Sequence, residues 1–230
     1  MRIFVGILIG LVLAVAIAIG AAKYAFGDLG DVADRDKSQD ITRTLDITGF
    51  DAVDIGGVFE ADVTVGGDYS VVVSGSEDEM ARLEVRVENG VLKIDQNESE
   101  IGKRRWRQRG MTASISLPEL KSFELAGVGD GEVTGIDAEL FRVKVAGVGN
   151  LDLSGACGRL DAKISGVGEL DAKSLECREV DVDVSGVGSA SVFASDAVDA
   201  SVGGVGSIEI HGSPERVEKR SSFISSISVK

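Results

Sequence analysis

One tripeptide, Gly-Val-Gly, recurs through the second half of the chain at nearly constant spacing. Its five copies begin at Gly127, Gly147, Gly166, Gly186 and Gly204, so the distance from one copy to the next is nearly constant. A constant period of about 20 residues is typical of a solenoid, in which each unit contacts only its neighbours and cannot bury its apolar face alone. The final segment SSISVK (225–230) fits one more, degenerate copy, because Ile227 lies about one period after Ile208.

Each period holds two segments with alternating apolar and polar residues, one directly after the corner and one directly before the next corner. Such alternation is typical of β-strands, whose successive side chains point to opposite faces. We therefore predict that equivalent apolar residues stack into inward columns. After the corner, these columns are Gly131, Leu151, Leu170, Ala190, Ile208 and Ile227, then Val133, Leu153, Ala172, Val192, Ile210 and Val229; before it, they are Phe141, Leu160, Val180 and Val198, then Val145, Ile164, Val184 and Val202.

Successive coils of this kind run in the same direction, so their strands must pair in parallel. The sequence therefore predicts an all-β domain folded as a parallel β-helix of ~20-residue coils. We expect a right-handed helix, because parallel crossovers are right-handed in nearly all proteins. A calcium-binding β-roll also uses glycine-rich turns, but its period is about half as long and its Asp positions do not recur here.

The Gly-Val-Gly corner has some likeness to a phosphate-binding loop. Such a loop leads from a strand into a helix whose first amides meet the anion, whereas the residues after Gly168 alternate like a strand. We interpret the glycines as corner residues that allow positive φ angles and close approach of neighbouring coils. We also expect the intervening valines to stack inward; these are Val128, Val148, Val167, Val187 and Val205.

The N-terminal part of the chain carries different signals. An uncharged run covers residues 3–22, and we interpret 1–22 as a signal peptide or as an uncleaved signal anchor, since both fit ~20 apolar residues. Residues 23–40 read as a polar linker, and 41–230 as the β-helical domain. Within that domain, 83–95 predicts a hairpin around Asn89-Gly90, and 76–83 predicts one helical turn.

The charge balance narrows the set of partners. The net charge is −14, and an acidic surface repels nucleic acid and anionic lipid, so we expect no nucleic-acid partner. Membrane contact is then expected only through the N-terminal segment, if it stays uncleaved. Only 5% of the residues are aromatic, so aliphatic side chains must fill the core.

Several segments together resemble a known family. The opening RTLDITGFDAVDIGG (43–57), the hairpin segment VENGVLKID and the stacked Gly-Val-Gly corners are similar to the putative auto-transporter adhesin head GIN domain, over roughly residues 41–228. The resemblance implies an exported bacterial protein with a β-helical fold and a role in adhesion. It supplies no catalytic motif.

The outward column after the corner is acidic over three coils. Glu132, Asp152 and Asp171 stack there, followed by Ser191 and Glu209. Neighbouring strands lie about 4.8 Å apart, so these carboxylates either repel one another in water or share a cation such as Ca²⁺. A solvated acidic face is the simpler interpretation. Calcium is the one cofactor that the sequence suggests.

A basic segment stands out from the acidic chain. It is KRRWRQR, in which Lys103, Arg104, Arg105, Arg107 and Arg109 surround the single Trp of the sequence, Trp106. Guanidinium groups beside an aromatic ring bind carboxylates, phosphates or sugar rings. The alternative is a solvated hairpin loop whose Trp covers the open end of the helix.

The two cysteines, Cys157 and Cys177, occupy equivalent places in consecutive coils. Their Cα atoms are expected about 5 Å apart, which is within disulfide range, and export permits oxidation. Two stacked thiols are the alternative.

Catalysis has little support in the sequence. His211 is the single histidine, and no Ser/His/Asp or Cys/His set assembles around it. We therefore expect a non-enzymatic protein of the periplasm, cell envelope or cell surface that presents a face to a glycan or an envelope protein. One alternative is a polysaccharide lyase or hydrolase, for which Arg142 is the sole candidate base; another is a membrane-anchored signalling partner.

Overall fold

The structure is a computed structural model that describes residues 40–97 and 110–230. These residues contain one short helix and a continuous 15-stranded sheet. The first elements are β1 (Asp40–Leu45), β2 (Ala52–Ile55), β3 (Phe59–Val65), β4 (Ser70–Ser76), α1 (Glu77–Met80), β5 (Leu83–Glu88), β6 (Val91–Gln96), β7 (Met111–Leu117) and β8 (Ser122–Leu125). The remaining strands are β9 (Gly131–Val145), β10 (Val148–Ile164), β11 (Val167–Val184), β12 (Val187–Val202), β13 (Val205–Gly212), β14 (Arg216–Ser221) and β15 (Ser225–Val229).

The sheet winds around a buried core as a parallel β-helix, which confirms the predicted fold class. We name its two faces by their position relative to the Gly-Val-Gly corner. The post-corner face holds β1, β4, β7 and β3, then the first halves of β9 to β12, then β13 and β15. The pre-corner face holds β5, β6, β2 and β8, then the second halves of β9 to β12, then β14. Each of β9 to β12 is 15 to 18 residues long, because it runs from one face to the other without a break.

Cα pairing between strands confirms the predicted inward columns, except that a register shift between β10 and β11 interrupts one column between Leu153 and Ala172. On the post-corner face Leu151 lies between Gly131 and Leu170, and on the pre-corner face Leu160 lies between Phe141 and Val180. Leu151, Leu160 and Leu170 are completely buried, as the alternation requires. The last rung is less protected, since no further coil covers β14 and β15 within the described residues.

The corner valines stack in register, but they face solvent, so the prediction of an inward valine column is wrong. Val128, Val148, Val167, Val187 and Val205 are 44% to 51% exposed. The flanking glycines explain this orientation: a Cβ on Gly166 would lie 1.9 Å from the carbonyl oxygen of Gly147, and one on Gly168 would lie 1.8 Å from that of Gly149. The glycine positions therefore face the neighbouring coil, and alternation along the extended chain turns the valine between them outward. The predicted close approach of coils at the corner is confirmed.

The first coils are stacked in an order that differs from their order in the chain. Strand β3 lies between β7 and β9, and β2 lies between β6 and β8. The coil built from β2 and β3 is therefore enclosed by two coils that come later in the chain. Val58, which precedes β3, pairs with Val128 and so begins the column of corner residues.

The local elements predicted in this region are present. Strands β5 and β6 form an antiparallel hairpin, and Asn89 and Gly90 adopt φ angles of 52° and 80° at its turn. The predicted helical turn is α1. The predicted signal segment 1–22 and the linker 23–40 lie outside the described residues, except that Asp40 opens β1. Within the described ranges no helix has the length and apolar character needed to cross a membrane.

Polar groups close both ends of the described solenoid. Glu79 of α1 is only 2% exposed, and its carboxylate accepts hydrogen bonds from the backbone N–H of Ser76 at 3.0 Å and of Gly110 at 3.2 Å. At the other end Lys219 continues an inward column after Ala200, and its Nζ donates to the carbonyl oxygen of Ile227 at 3.4 Å. Lys219 thus reaches from one face to the other across the last rung. An inward charge at this place discourages the addition of another strand.

Candidate functional site

The acidic column on the post-corner face is longer than the sequence predicted. Asp152 pairs with Glu132 on one side and with Asp171 on the other, as expected. Asp62 of β3 pairs with Glu132, so four consecutive rungs carry a carboxylate. Sequence reasoning missed Asp62 because β3 reaches this position out of chain order.

Cations of the chain itself meet part of this column. Lys173 Nζ donates to the carboxylate of Asp171, and this hydrogen bond, with the accompanying charge attraction, raises the pKa of Lys173. Farther along, Lys230 Nζ lies 3.4 Å from Glu209 Oε1. Among residues 40–97 and 110–230, no group of three or more carboxylate, His or Cys side chains is arranged to hold a metal ion. Calcium binding at Glu132, Asp152 and Asp171 therefore stays a prediction.

The pre-corner face contains a groove at the point where one outward column has a short side chain between longer ones. This column consists of Leu140, Arg159, Glu179, Ala197 and Arg216. Ala197 has the smallest side chain of the five, and beside it lies a cavity of about 260 Å³ that also contacts Asp181, Asp199 and Glu218. An alignment of the outward positions of each coil would have shown that Ala197 is the short residue of this column. The sequence prediction considered mainly the inward positions.

Charges of both signs line the groove. The guanidinium of Arg159 lies 3.6 Å from the carboxylate of Glu179 and 3.4 Å from that of Asp181. On the far side Arg220 pairs with Asp199 at 2.8 Å. These are exposed ion pairs that contribute only about 0–1 kcal/mol each to stability, so the groups can exchange partners at little cost.

Charged side chains of neighbouring strands also lie in register on this face, but their ion pairs do not all run across strands. Arg142 lies beside Asp161, and Lys163 lies beside Asp183. The ion pair of Lys163, however, is with Asp161 of its own strand at 3.6 Å. Lys and carboxylate two residues apart on one strand share a face, so they compete with the pairing across strands.

The two cysteines are joined by a disulfide. Cys157 and Cys177 pair across β10 and β11, with their Cα atoms 4.5 Å apart, and both are buried. Ala138 and Ala194 occupy the same column on either side. The disulfide therefore links two adjacent coils at a site where small side chains fit.

The basic segment with Lys103, Arg104, Arg105, Trp106, Arg107 and Arg109 lies outside the described residues. The described residues on either side of it are Asn97, after β6 on the pre-corner face, and Gly110, before β7 on the post-corner face. Gly110 is tied to α1 through Glu79.

His211 lies at the end of β13, where its Nε2 is 3.9 Å from the carboxylate of Glu209. Its side chain is 32% exposed, next to the open end of the post-corner face. This contact is at most a weak surface ion pair, which forms when the imidazole is protonated.

These features define a class of protein: a β-solenoid repeat protein with long, regular, charged faces. The chain belongs to the family described as "Putative auto-transporter adhesin, head GIN domain", whose model matches residues 49–214. The family resemblance inferred from the sequence is thereby confirmed. No curated protein matches the chain.

Solved structures show the same fold. The chain is similar to a putative adhesin from Bacteroides fragilis NCTC 9343, with a TM-score of 0.70 and 24% identity over 84% of this chain and 98% of the other. It is also similar to a putative adhesin from Parabacteroides distasonis ATCC 8503, with a TM-score of 0.50 and 15% identity over 84% of this chain and 98% of the other. At these identities the likeness concerns the fold alone.

Proposed function

We propose that residues 41–230 form a non-enzymatic binding domain of an exported bacterial protein, which presents its solenoid faces to a glycan or a partner protein at the cell envelope. The observation that carries this proposal is the family match over residues 49–214, because the family is described as an adhesin. The net charge of −14 supports it further, since it disfavours nucleic acid as the partner.

Among the residues that the structure describes, we expect such a ligand to bind in the groove beside Ala197. Concave sites with a few convergent polar groups are typical of ligand recognition. Arg159, Asp181 and Asp199 provide donors and acceptors there for sugar hydroxyls or for a charged peptide. Because their present ion pairs are weak, a ligand can replace them.

Filling the groove tests this assignment. Leu140 already occupies the same column, so Ala197→Leu is compatible with the backbone and adds volume without charge. We expect this variant to lose at least tenfold in affinity on a glycan array, with its melting temperature nearly unchanged. Ser201→Leu on the same face but outside the groove is the matched control and should bind like wild type. Release of shortened or unsaturated sugars from the array would replace the binding proposal with an enzymatic one.

The basic segment is the second proposed contact. We expect Trp106→Ala combined with Arg105→Ala to weaken ligand binding at least tenfold while the melting temperature stays nearly constant, because aromatic and guanidinium groups contact ligands in pairs. A large drop in melting temperature would show that Trp106 caps the solenoid instead. Repeating the array with and without Ca²⁺, on wild type and on Asp152→Asn, tests the proposed cation site of the acidic column.

Export is part of the proposal and has its own test. N-terminal sequencing of the mature protein decides between a cleaved signal peptide and an uncleaved anchor at residues 1–22. A mature chain that begins after residue 22 supports release to the periplasm or surface, whereas an intact Met1 supports anchoring in the inner membrane.

A further inference from the structure

The exposed corner valines belong to a longer apolar column. Val58 pairs with Val128 at one end; at the other end Ser225 pairs with Gly206, so Ile224 follows Val205 in the column. We call this column the valine ridge; it consists of Val58, Val128, Val148, Val167, Val187, Val205 and Ile224. Six steps of about 4.8 Å make it roughly 29 Å long. Ile224 is 65% exposed, and Phe223 beside it is fully exposed.

On its pre-corner side the ridge is bordered by uncharged residues along its whole length. The position two residues before each ridge member holds Gly56, Ala126, Ala146, Ser165, Ser185, Gly203 and Ser222. In a chain with 27% charged residues, an uncharged strip across seven rungs is unusual. Contiguous exposed apolar strips of a few hundred Å² mark interaction sites, and valine side chains offer no hydrogen bonds to a sugar. The ridge therefore suits an apolar protein surface.

The next column toward the pre-corner face is charged, and its signs select the partner. It reads Asp54, Glu124, Lys144, Lys163, Asp183, Ser201 and Arg220. When two copies of this column run antiparallel about the middle rung, Asp54 faces Arg220 of the second copy and Lys144 faces Asp183 of the second copy. Each of these contacts occurs twice by symmetry. At the axis the two copies of Lys163 face each other, each beside a carboxylate of its own strand with which it pairs.

A parallel arrangement of two copies produces the opposite result. In that case the charged column faces the column on the other side of the ridge, which begins with Glu60 and Asp130. Asp54 and Glu124 would then face Glu60 and Asp130, so four carboxylates would meet on each side of the two-fold axis. Opposite charges would meet only at the fourth rung. Like charges at an interface suppress the wrong arrangement.

We propose that the valine ridge is a self-association surface, on which two copies of this chain pack ridge against ridge, antiparallel, with Val167 on the two-fold axis. A strip of roughly 29 by 16 Å buries on the order of 450 Å² per copy, compared with about 800 Å² per partner in a typical stable complex. The dimer is therefore smaller than a typical stable complex, and we expect it to dissociate reversibly. It leaves the groove beside Ala197 uncovered, because that groove lies farther from the corner on the pre-corner face.

Cysteine cross-linking of the full chain tests the proposal. Both native cysteines are already joined to each other, so a new cysteine has no native thiol partner within the chain. Under mild oxidation Val167→Cys should form a covalent dimer at least tenfold faster than Val205→Cys, because only Val167 faces itself. A mixture of Val148→Cys and Val187→Cys should cross-link to each other, since these two positions face one another.

The same variants can overturn the proposal. Equal cross-linking of Val167→Cys and Val205→Cys would indicate a parallel or unspecific contact. Absence of cross-linking at 100 µM protein, together with a monomer in sedimentation velocity, would mean that some other molecule covers the ridge. As an independent check, Val167→Asp should weaken the dimer at least tenfold in sedimentation while the melting temperature at low protein concentration stays the same; an unchanged dimer would also contradict the proposal.

Discussion

Strands β9 to β13 and strands β1 to β8 join the same sheet by different means. In the first group each residue lies over an equivalent residue about one period away, so that Leu151, Leu170 and Ala190 follow one another in a single column. In the second group neighbours come from distant parts of the chain, as when Asp54 pairs with Lys93 on one side and with Glu124 on the other. The repeating coils thus depend on local contacts, whereas the first coils depend on long-range ones.

The cores of the two regions differ accordingly. Among the described residues five of the six buried Phe and Met side chains lie before β9, namely Phe50, Phe59, Met80, Met111 and Phe123; the sixth, Phe141, lies in β9, the first strand of the repeating coils. The later coils are filled by Leu, Ile, Val, Ala and the disulfide. A uniform stack accepts the same small side chains at every rung, while the irregular end needs large side chains to fill its less regular space.

This difference suggests that the two regions have different structural roles. In a repeat array stability is approximately a sum of unit and nearest-neighbour terms, so any rung can fray unless the ends are closed. The first coils close long loops between distant strands, which has an entropic cost, but they cover one end of the stack. They act as a cap on which the repeating coils are built.

A buried charge in the middle of the repeating coils has the largest expected effect. Val182 is completely buried between Ala162 and Ala200. Val182→Asp places an unpaired carboxylate there, and we expect it to lower the free energy of unfolding by about 4 kcal/mol or more. The measurement is a urea titration followed by circular dichroism. Val187→Asp, at a corner position that is 51% exposed, is the control and should be nearly neutral.

The cap is most sensitive at Glu79. Its carboxylate accepts from Ser76 N–H, from Ser76 Oγ at 2.7 Å and from Gly110 N–H, so Glu79→Ala leaves partly buried donors without this acceptor. We expect a loss of about 2–3 kcal/mol in the urea titration, and a smaller loss for Glu79→Gln, which keeps one acceptor oxygen. Glu77→Ala on the exposed side of α1 is the control. Equal losses at Glu77 and Glu79 would contradict a capping role for the buried carboxylate.

The repeating coils could be predicted from the sequence in detail, but the cap could not. A constant period determines which residues stack, so the columns through Leu151 and Leu160 followed from spacing alone. The cap has no such period, and the insertion of the β2–β3 coil between later coils is visible only in three dimensions. For that reason Asp62 was missing from the predicted acidic column.

The outward valines show a second limit of sequence reasoning. Apolar residues were expected to face the core, and the column of Val167 with its neighbours was assigned accordingly. The orientation is set by the glycines on either side of Val167. A Cβ on Gly166 or Gly168 would lie less than 2 Å from a carbonyl oxygen of the neighbouring coil, so these positions face that coil and the valine faces solvent. The groove at Ala197 and the exposed Phe223 are likewise properties of the outer surface, on which hydrophobic periodicity gives no information.

Alanine substitution at the corner has a smaller expected effect and separates the two roles of glycine. A Cβ on Gly166 would lie 1.9 Å from the carbonyl oxygen of Gly147, so we expect Gly166→Ala to cost about 2 kcal/mol through displacement of two coils. Gly203 directly precedes the corner that begins at Gly204, and it has no atom within 4 Å of its Cβ position. Gly203→Ala should be neutral or slightly stabilising in thermal unfolding, since it only restricts the unfolded chain. Similar losses for both variants would rule out close coil approach as the reason for glycine at the corners.

The smallest expected effect lies within the cap, at Asp54 of β2, which is placed between β6 and β8. Partial burial, and secondly the neighbouring carboxylate of Glu124, raise the pKa of Asp54 above its ordinary value of 3.8. An acid whose pKa is raised by folding destabilises the folded state when it is ionised, and protonation removes this penalty as the pH falls through the folded pKa. Asp54→Asn should therefore stabilise the protein at pH 7, by less than about 1 kcal/mol because the group is partly solvated, and should give no gain below about pH 3. Thermal unfolding at both pH values measures the difference, with the exposed Glu60→Gln as control. Destabilisation by Asp54→Asn at pH 7 would show instead that the attraction to Lys93 across β2 and β6 outweighs burial and Glu124, and that charge attraction stabilises the strand pairing within the cap.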